Sequence, residues 1–230
     1  MNFSIRPGRV NGRMYTPEAF AWRDSDEIAA FIRAHSFGIL ISQSGGEFAA
    51  AHLPFLYDPR AGWLLGHMAR ANPQWRDLDG APALAVFTGP HAYISPSWYE
   101  EAGAVPTWNY VAVHVYGTCE VMTDEAEIRG LLSDAARFYE PASELAGRLG
   151  EPAYARLQNG IAAFRLRIDR VEGKRKLGQN RSREDQRRMA AALAASPDDG
   201  ARRLARLMRG ERGGGEDPPT AAGGEDGGAT

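Results

Sequence analysis

Alternation of apolar and polar side chains dominates the chain and predicts mostly short β-strands. Residues 37–42 and 47–55 flank Ser44-Gly45-Gly46, a turn that predicts a β-hairpin. Residues 111–122 alternate over a longer stretch, and residues 164–169 place arginine and aspartate on one face. Because such strands follow one another closely with few helices between them, the predicted fold class is mainly β with α (α+β), built on a small antiparallel barrel.

Helical patterns occupy fewer segments and surround the predicted strands. Thr16-Pro17 resembles a helix start, and residues 24–27 resemble a capping box ahead of an apolar helical stripe. Thr123 is predicted to cap a helix that runs to about residue 139. Residues 182–208 begin with a second capping pattern. The sequence therefore predicts flanking helices and a C-terminal helical segment.

The two ends of the chain lack the side chains that build a core. Residues 210–230 are rich in glycine and carry five acidic side chains but no large apolar one, so we predict a disordered acidic tail. Residues 1–13 are predicted to form a flexible lead-in. The expected folded domain is residues 14–209.

Charge is unevenly distributed, although the formal net charge is only −2. Residues 165–209 carry 14 basic and 6 acidic side chains, a local charge of +8. Such a segment could meet the phosphates of DNA, but runs of charge are more often solvated faces of helices and strands. Both interpretations stay open at this point.

Cysteine content and hydropathy limit the expected compartment. Cys119 is the single cysteine, so the chain can form neither an internal disulfide nor a multi-cysteine zinc site, and a reducing cytoplasm is expected. No stretch approaches the roughly 20 apolar residues that span a bilayer. The first residues also lack the apolar region of a secretory signal, so no membrane partner is predicted.

Two segments combine predicted strand ends with groups that can meet a ligand. In Ala50–Phe55, Pro54 has no N–H to donate to a sheet, so it is expected at a strand end or bulge with free backbone groups nearby. In Gly66–Trp75, Arg70 and Asn72 precede a predicted short helix. Free N–H groups at that helix start and the Arg70 guanidinium together predict a phosphate site.

A third segment, Thr88–Tyr99 followed by Val105–Tyr110, concentrates aromatic side chains in what we predict to be mostly loop: Trp98, Tyr99, Trp108 and Tyr110. Such surfaces stack planar ligands or form subunit interfaces, and a satellite core beneath a long loop is the alternative. The histidines show no metal-ligand spacing, so no metal site is predicted. No nucleophile elbow, Walker A or Rossmann glycine pattern occurs. The residues thus predict a small barrel with a phosphate-plus-aromatic ligand site.

Five motifs, read together, resemble the PaiB-type FMN-binding negative transcriptional regulators: His52–Phe55, Gly66–Trp75, Gly89–Tyr99, Pro106–Tyr110 and Gly173–Arg181. They occur in the family's order, and the resemblance runs from about Met14 to about Leu207. One departure is Gly178, where the family pattern has serine. That change puts one ligand hydrogen bond in question, but not the fold.

The resemblance implies an FMN-binding split β-barrel of the pyridoxamine-phosphate-oxidase and flavin-reductase type, with FMN held where two subunits of a homodimer meet. It implies that residues 66–72 meet the flavin phosphate and that residues 51–53 lie along the ring edge. Trp108 and Asn109 are expected from the other subunit, with Lys176 and Gln179 closing the site. The full set of predicted cofactor-binding residues is Ala51, His52, Leu53, Gly66, His67, Arg70, Asn72, Trp75, Trp108, Asn109, Lys176 and Gln179.

Two functions follow from this resemblance. In the first, the protein binds FMN and represses genes for degradative enzymes and sporulation, either on DNA directly or through a regulatory partner. In the second, it is an FMN-dependent oxidoreductase that passes electrons between NAD(P)H and a small acceptor. No catalytic residue is assigned, because His67 and Tyr110 are weak candidates for an acid or base.

Overall fold

A computed structural model describes residues 14–100 and 104–210. Within these residues the strands are β1 (Ala21–Trp22), β2 (Phe37–Ser44), β3 (Glu47–Asp58), β4 (Trp63–Ala69), β5 (Pro82–Ile94), β6 (Thr107–Val121) and β7 (Ile161–Lys176). The α-helices are α1 (Ser25–Ala34), α2 (Glu125–Tyr139), α3 (Leu145–Arg148), α4 (Pro152–Gln158), α5 (Arg183–Ala194) and α6 (Asp199–Met208). Short 3₁₀ helices span Glu18–Phe20, Pro73–Asp77 and Pro96–Trp98.

The strands form one antiparallel sheet that closes on itself. Its order is β1-β7-β4-β3-β2-β5-β6, and β6 pairs a second time with β7. Six strands therefore complete a barrel, while the two-residue β1 pairs with the end of β7. This arrangement confirms the predicted fold class.

Closure requires β6 and β7 to approach closely where their register shifts, between Tyr116 and Gly117. A Cβ atom on Gly117 would lie 2.0 Å from the carbonyl oxygen of Arg167. Only glycine fits that approach, since a side chain there would displace the backbone of β7.

Three phenylalanines fill the centre of the barrel. Phe55, Phe87 and Phe164 are each at most 1% exposed. The ring of Phe55 meets Phe87 edge-on with a centroid separation of 5.5 Å, and meets Phe164 in the same way at 6.2 Å. These contacts join β3, β5 and β7 across the interior, so the core depends on nonlocal packing.

Helix α2 covers part of the outer surface through a small apolar cluster: Met122, Ile128, Leu131 and Ala163. Asp124 caps this helix, because its carboxylate accepts hydrogen bonds from two N–H groups of the first turn. The predicted cap at Thr123 is thus displaced by one residue. Arg165 on β7 also donates to Glu120 at 2.8 Å, on the neighbouring strand.

Helices α5 and α6 pack together over the far ends of β5 and β6. Ser182 caps α5 as predicted, since its Oγ accepts the Asp185 N–H at 3.0 Å. Buried side chains from the helices, from β5 and from the segment after it form a second core: Ala92, Ile94, Tyr99, Met189, Leu193, Ala201, Leu204 and Ala205. The C-terminal helical segment is therefore an integral part of the fold.

Several predicted element boundaries were wrong. Thr16-Pro17 begins only the single 3₁₀ turn Glu18–Phe20, without a side-chain cap, whereas Asp24 caps α1 as predicted. β6 begins at Thr107, so residues 107–110 are strand and not loop. Helices α3 and α4 were not predicted. The lead-in, residues 1–13, and all of the tail except Gly210 lie outside the described residues.

Candidate functional site

β3 and β4 stop pairing part-way along the barrel wall, and the unpaired stretch between residues 47–54 of β3 and residues 67–69 of β4 is called the slot. The two strands pair from Asp58–Trp63 to Phe55–Gly66 and no further. The next pair in register would place Pro54 opposite His67, and Pro54 has no N–H to donate. β3 itself continues through Pro54, paired with β2 on its other side. Pro54 therefore ends the pairing between β3 and β4, but it does not end β3 itself. The predicted strand end at Pro54 was wrong in this respect.

The free edge of β3 presents backbone groups of alternate residues. Phe55 donates its N–H to Ser36 at 2.8 Å, on the β2 side. Because backbone groups alternate along an antiparallel strand, Leu53 and Ala51 also face β2, while His52 and Ala50 face the slot. The His52 side chain is exposed and stacks on Phe37, with ring centroids 6.4 Å apart. Among the three predicted β3 residues, His52 is therefore the one that borders the slot.

Three other predicted residues on this side of the barrel, Ala51, Leu53 and Gly66, face its core. Ala51 and Leu53 are 9% and 8% exposed. A Cβ atom on Gly66 would lie 2.9 Å from Cζ of Phe164, so the glycine makes room for that ring. Gly66 has the geometry of a packing residue, and its contact with a cofactor stays a prediction.

His67 points away from the core, on the other face of β4. It is partly buried, and this burial lowers its pKa below the ordinary histidine value. The ring is therefore neutral at pH 7 and can donate from one nitrogen and accept at the other.

Arg70 lies directly after β4 and is held at several points. Its N–H donates to Gly160 at 2.8 Å, and its Nε donates to the Asn159 carbonyl at 3.0 Å. The guanidinium carbon lies 5.3 Å from the centre of the Trp75 ring, whose Nε1 donates to the Arg70 carbonyl. The terminal guanidinium nitrogens form no ion pair with any described carboxylate, so they can receive an anion.

Asn72 is a helix cap, as predicted. Its Oδ1 accepts the Gln74 N–H at 3.0 Å, at the start of the 3₁₀ helix Pro73–Asp77. That helix has only five residues, and one of its first N–H groups is already bonded. The predicted anion site therefore depends on Arg70 and not on a helix terminus.

Gln74, which the sequence analysis did not single out, joins this helix to the β2–β3 hairpin. Its side chain is 2% exposed, and its Nε2 lies within hydrogen-bond distance of three oxygens: Leu40 O at 3.3 Å, Ser42 Oγ at 3.0 Å and Ala49 O at 3.4 Å. Through these contacts it holds the Arg70 loop against β3. In the sequence, only its position directly after the Asn72-Pro73 pair marks it.

The remaining predicted residues lie at the other end of β7. Ile161, next to the Arg70 loop, and Lys176 are the first and last residues of this 16-residue strand. At about 3.3 Å per residue, the strand separates them by a path of roughly 50 Å. One chain therefore holds two groups of predicted residues: a slot group around His52 and Arg70, and a distal group of Trp108, Asn109, Lys176 and Gln179.

Within the distal group the side chains differ in exposure. Trp108 is 53% exposed and meets Tyr93 edge-on. Lys176 donates to Thr107 Oγ1, and burial lowers its pKa. Asn109 is 2% exposed beneath α6, where its amide contacts the sulfur of Met208. Asn109 is therefore covered, whereas Trp108 and Lys176 are accessible to a ligand.

Gln179 and Gly178 shape the turn after β7. The Gln179 side chain accepts from the Leu177 N–H at 2.8 Å and donates to the Arg175 carbonyl at 2.7 Å. Gly178 has φ of +83°, and a Cβ there would meet Met189 Cε at 2.7 Å. Glycine therefore suits this left-handed turn, where a side chain would also crowd Met189.

Residues 14–100 and 104–210 were searched for clusters of metal-ligating side chains and for long apolar helices. No group of three His, Cys, Asp or Glu side chains there could hold a metal ion. The described helices are all too short or too polar to cross a membrane.

Comparisons with known proteins agree with the motifs. The family model described as "Putative FMN-binding domain" matches residues 14–170. The protease synthase and sporulation protein PAI 2 of Bacillus subtilis is 35% identical over 178 residues, covering 75% of this chain and 85% of that protein. An uncharacterized protein of Aspergillus fumigatus is 29% identical over 214 residues, covering 68% and 81%.

Solved structures show the same fold at low sequence identity. The flavocytochrome Anf3 of Azotobacter vinelandii superposes with a TM-score of 0.59 at 18% identity, covering 72% of this chain and 74% of that one. The FAD and heme binding protein of Mycobacterium smegmatis gives 0.56 at 20% identity, covering 72% and 78%. Together with the family match, these likenesses confirm the resemblance drawn from the motifs: this chain belongs to the FMN-binding domain family of split-barrel proteins, and its cofactor is FMN.

Proposed function

We propose that this protein holds FMN in the slot between β3 and β4 of a homodimer and acts as a repressor through a protein partner. The groups around the slot fit FMN. The His52 and Ala50 backbone offers donors and acceptors to a flat heteroaromatic edge, while Arg70 offers a two-pronged cation to a phosphate. When bound, FMN supplies reversible electron transfer through its ring.

The observation that carries this proposal is the interrupted pairing at Pro54. An unpaired strand edge inside a closed barrel leaves backbone groups that need partners. If the register continued, Ala51 would stand opposite Arg70, so the free edge of β3 faces the end of β4 that Arg70 follows. A ligand with a hydrogen-bonding ring at one end and an anion at the other satisfies both.

A second copy of the chain would complete the site. The outer face of β2 and β5 carries neighbouring apolar side chains that are only partly covered: Ile39, Ile41, Leu84 and Val86. Phe37 and Phe48 on the same face are 67% and 82% exposed. Faces of this kind are typical of subunit interfaces. Trp108 lies on the same face of β6, so two copies packed across it would bring the distal group of one towards the slot of the other.

Flavin absorbance and oligomeric state test this arrangement together. The purified protein should be yellow and dimeric by light scattering, and Arg70→Ala should weaken FMN binding roughly tenfold by removing a charged donor to phosphate. Ile41→Arg should give a monomer that has lost most of its FMN affinity. Arg60→Ala, in the β3–β4 turn, serves as the exposed-arginine control. A colourless monomer that ignores added FMN would contradict the proposal.

The charge distribution of residues 165–209 favours repression through a protein partner over direct contact with DNA. Most arginines in the +8 segment are ion-paired within the chain: Arg165, Arg170, Arg175, Arg187, Arg188, Arg202 and Arg203. Paired guanidiniums have less capacity for DNA phosphates. The name of the Bacillus relative, a protease synthase and sporulation protein, is what suggests regulation. The buried free thiol of Cys119 suits a cytoplasmic location.

A gel shift across a range of salt concentrations tests this choice. The chain alone should not retard its own promoter region at physiological salt, whereas a complex recovered with its partner should alter transcription from that promoter. Sequence-specific retardation by the pure protein would refute the partner model. Bleaching of the bound flavin by NADH or NADPH without oxygen would instead favour the oxidoreductase.

A further inference from the structure

The turn between α4 and β7 consists of Asn159 and Gly160, and both residues are exposed. Its main chain holds the Arg70 loop in place. The Gly160 carbonyl accepts the Arg70 N–H at 2.8 Å, and the Asn159 carbonyl accepts Arg70 Nε at 3.0 Å. A chemical change in this turn would therefore reach Arg70 directly.

An asparagine that precedes glycine can react with its own main chain. The nitrogen of the next residue attacks the side-chain amide carbon, and glycine has no Cβ to hinder that approach. Among the described residues, no hydrogen bond restrains the Asn159 side chain. Asn159 also lines a surface cleft of ≈ 440 Å³, where water can reach it. The turn thus has both the reacting groups and the access that this reaction needs.

The other described asparagines lack this combination. Asn72 precedes Pro73, whose nitrogen carries no hydrogen. Asn109 is 2% exposed. Asn180 is exposed, but Arg181 follows it with a side chain and with an N–H that is already hydrogen-bonded within the turn. Within the part of the chain that the structure describes, only the α4–β7 turn combines exposure, an unrestrained asparagine and a following glycine.

We propose that Asn159 is a site of spontaneous modification, at which the turn cyclises and then opens as isoaspartate. The Gly160 nitrogen bonds to Cγ of Asn159, the Cγ–Nδ2 bond breaks, and Nδ2 leaves as ammonia with the proton from the Gly160 nitrogen. Water then opens the cyclic imide. When it opens at the former main-chain carbonyl, the product is isoaspartate, in which the main chain runs through Cγ.

This product places a negative charge at the point that holds Arg70. In isoaspartate the former main-chain carbonyl carbon of residue 159 becomes the free carboxylate. Its oxygen is the atom that accepts Arg70 Nε at 3.0 Å in the unmodified protein. A hydrogen bond to a neutral carbonyl thus becomes an ion pair. Because the guanidinium is then paired within the chain, Arg70 loses capacity for an anionic ligand. This consequence for FMN rests on the proposed function, whereas the modification itself does not.

Peptide mapping by mass spectrometry tests the modification without any flavin. After incubation of the apo protein in warm, mildly alkaline buffer, Asn159 should be converted mainly to isoaspartate, which enzymatic methylation of isoaspartyl carboxylates identifies. The matched control is Asn180, an exposed asparagine that should keep its amide. Asn11, which also precedes glycine, lies outside the described residues and is measured on its own peptide. If Asn11 is converted and Asn159 is not, the proposal is overturned.

The FMN affinity of fresh and incubated protein tests the consequence for Arg70. Incubated wild-type protein should bind FMN roughly tenfold more weakly than fresh protein. Asn159→Gln keeps an amide but does not readily form the imide, so its FMN affinity should be the same before and after incubation. Thermal unfolding of each sample checks that the fold is intact. If Asn159 is converted and FMN affinity does not fall, the link to Arg70 is overturned. If fresh protein binds no FMN, the proposed function fails, and peptide mapping still decides the modification.

Discussion

Replacing Gly66 by alanine would add one methyl group to the inner wall of the barrel. The new Cβ would lie 2.9 Å from Cζ and 3.3 Å from Cε1 of Phe164, and 3.4 Å from Cδ1 of Phe55. Neither ring can retreat, because each is 1% exposed and the two are packed edge to face. The Gly66 backbone is not in the left-handed region, so alanine brings no dihedral strain. The whole perturbation is therefore overpacking.

The expected net loss of stability is about 1–2 kcal/mol. Overpacking a core typically costs about 1–3 kcal/mol, and restricting the unfolded chain by Gly→Ala returns about 0.4–1 kcal/mol. Gly130 on α2 gives the matched control, since nothing lies within 4 Å of its Cβ position. Gly130→Ala should stabilise the protein by roughly 0.5–1 kcal/mol, the opposite sign for the same chemical change.

Urea unfolding of the apo protein and FMN titration of the folded protein measure the two roles separately. Gly66→Ala should lower the unfolding midpoint and change FMN affinity little. Adding Phe164→Leu should recover part of the loss, as a positive coupling in a double-mutant cycle. Unchanged stability with a large loss of FMN affinity would refute the packing argument and restore Gly66 to the cofactor site.

Three further outcomes are expected. Gln74→Leu should destabilise the fold by about 1–3 kcal/mol, because Ser42 Oγ loses its buried partner. It should also weaken FMN binding by loosening the Arg70 loop. An unchanged unfolding midpoint in the Gln74→Glu variant would contradict this reasoning. Burial lowers the pKa of His35, His67 and His114 in the folded protein. The stability that these neutral histidines contribute is therefore fully present above the unfolded pKa of about 6.5, and it is lost as the pH falls below that value. Denaturation at two pH values should show this loss of stability. The free energy of unfolding should change less with pH in the double variant His35→Gln, His114→Gln. Burial raises the pKa of Cys119 to about 12, so the native protein should resist thiol reagents and react only on unfolding; rapid labelling of the native thiol would count against the placement of β6.

Local patterns were sufficient to predict much of the fold. The β2–β3 hairpin follows from two alternating runs around Ser44-Gly45-Gly46, and the caps at Asp24 and Ser182 depend only on their own neighbours. Alternation could not show that β6 begins at Thr107, because Trp108 and Tyr110 look like loop residues until β5 and β7 pair with them. Strand ends depend on partners that are distant in sequence.

Local patterns also predicted part of the candidate site. Arg70 and Asn72 were predicted because strand ends, arginines and caps are recognisable locally. Gln74 was missed because its environment comes from another element, the β2–β3 hairpin. A glutamine carries no local pattern that separates bracing from ordinary surface chemistry.

The opening at Pro54 arises from the main chain and not from any surrounding side chain. A slot made in this way needs no inserted loop or moving lid, so a ligand bound there as we propose would require little rearrangement of the barrel. Substitutions around the slot would alter which molecule is accepted while the slot itself persists. Related barrels that keep the proline can therefore change the ligand that they bind without a change of fold.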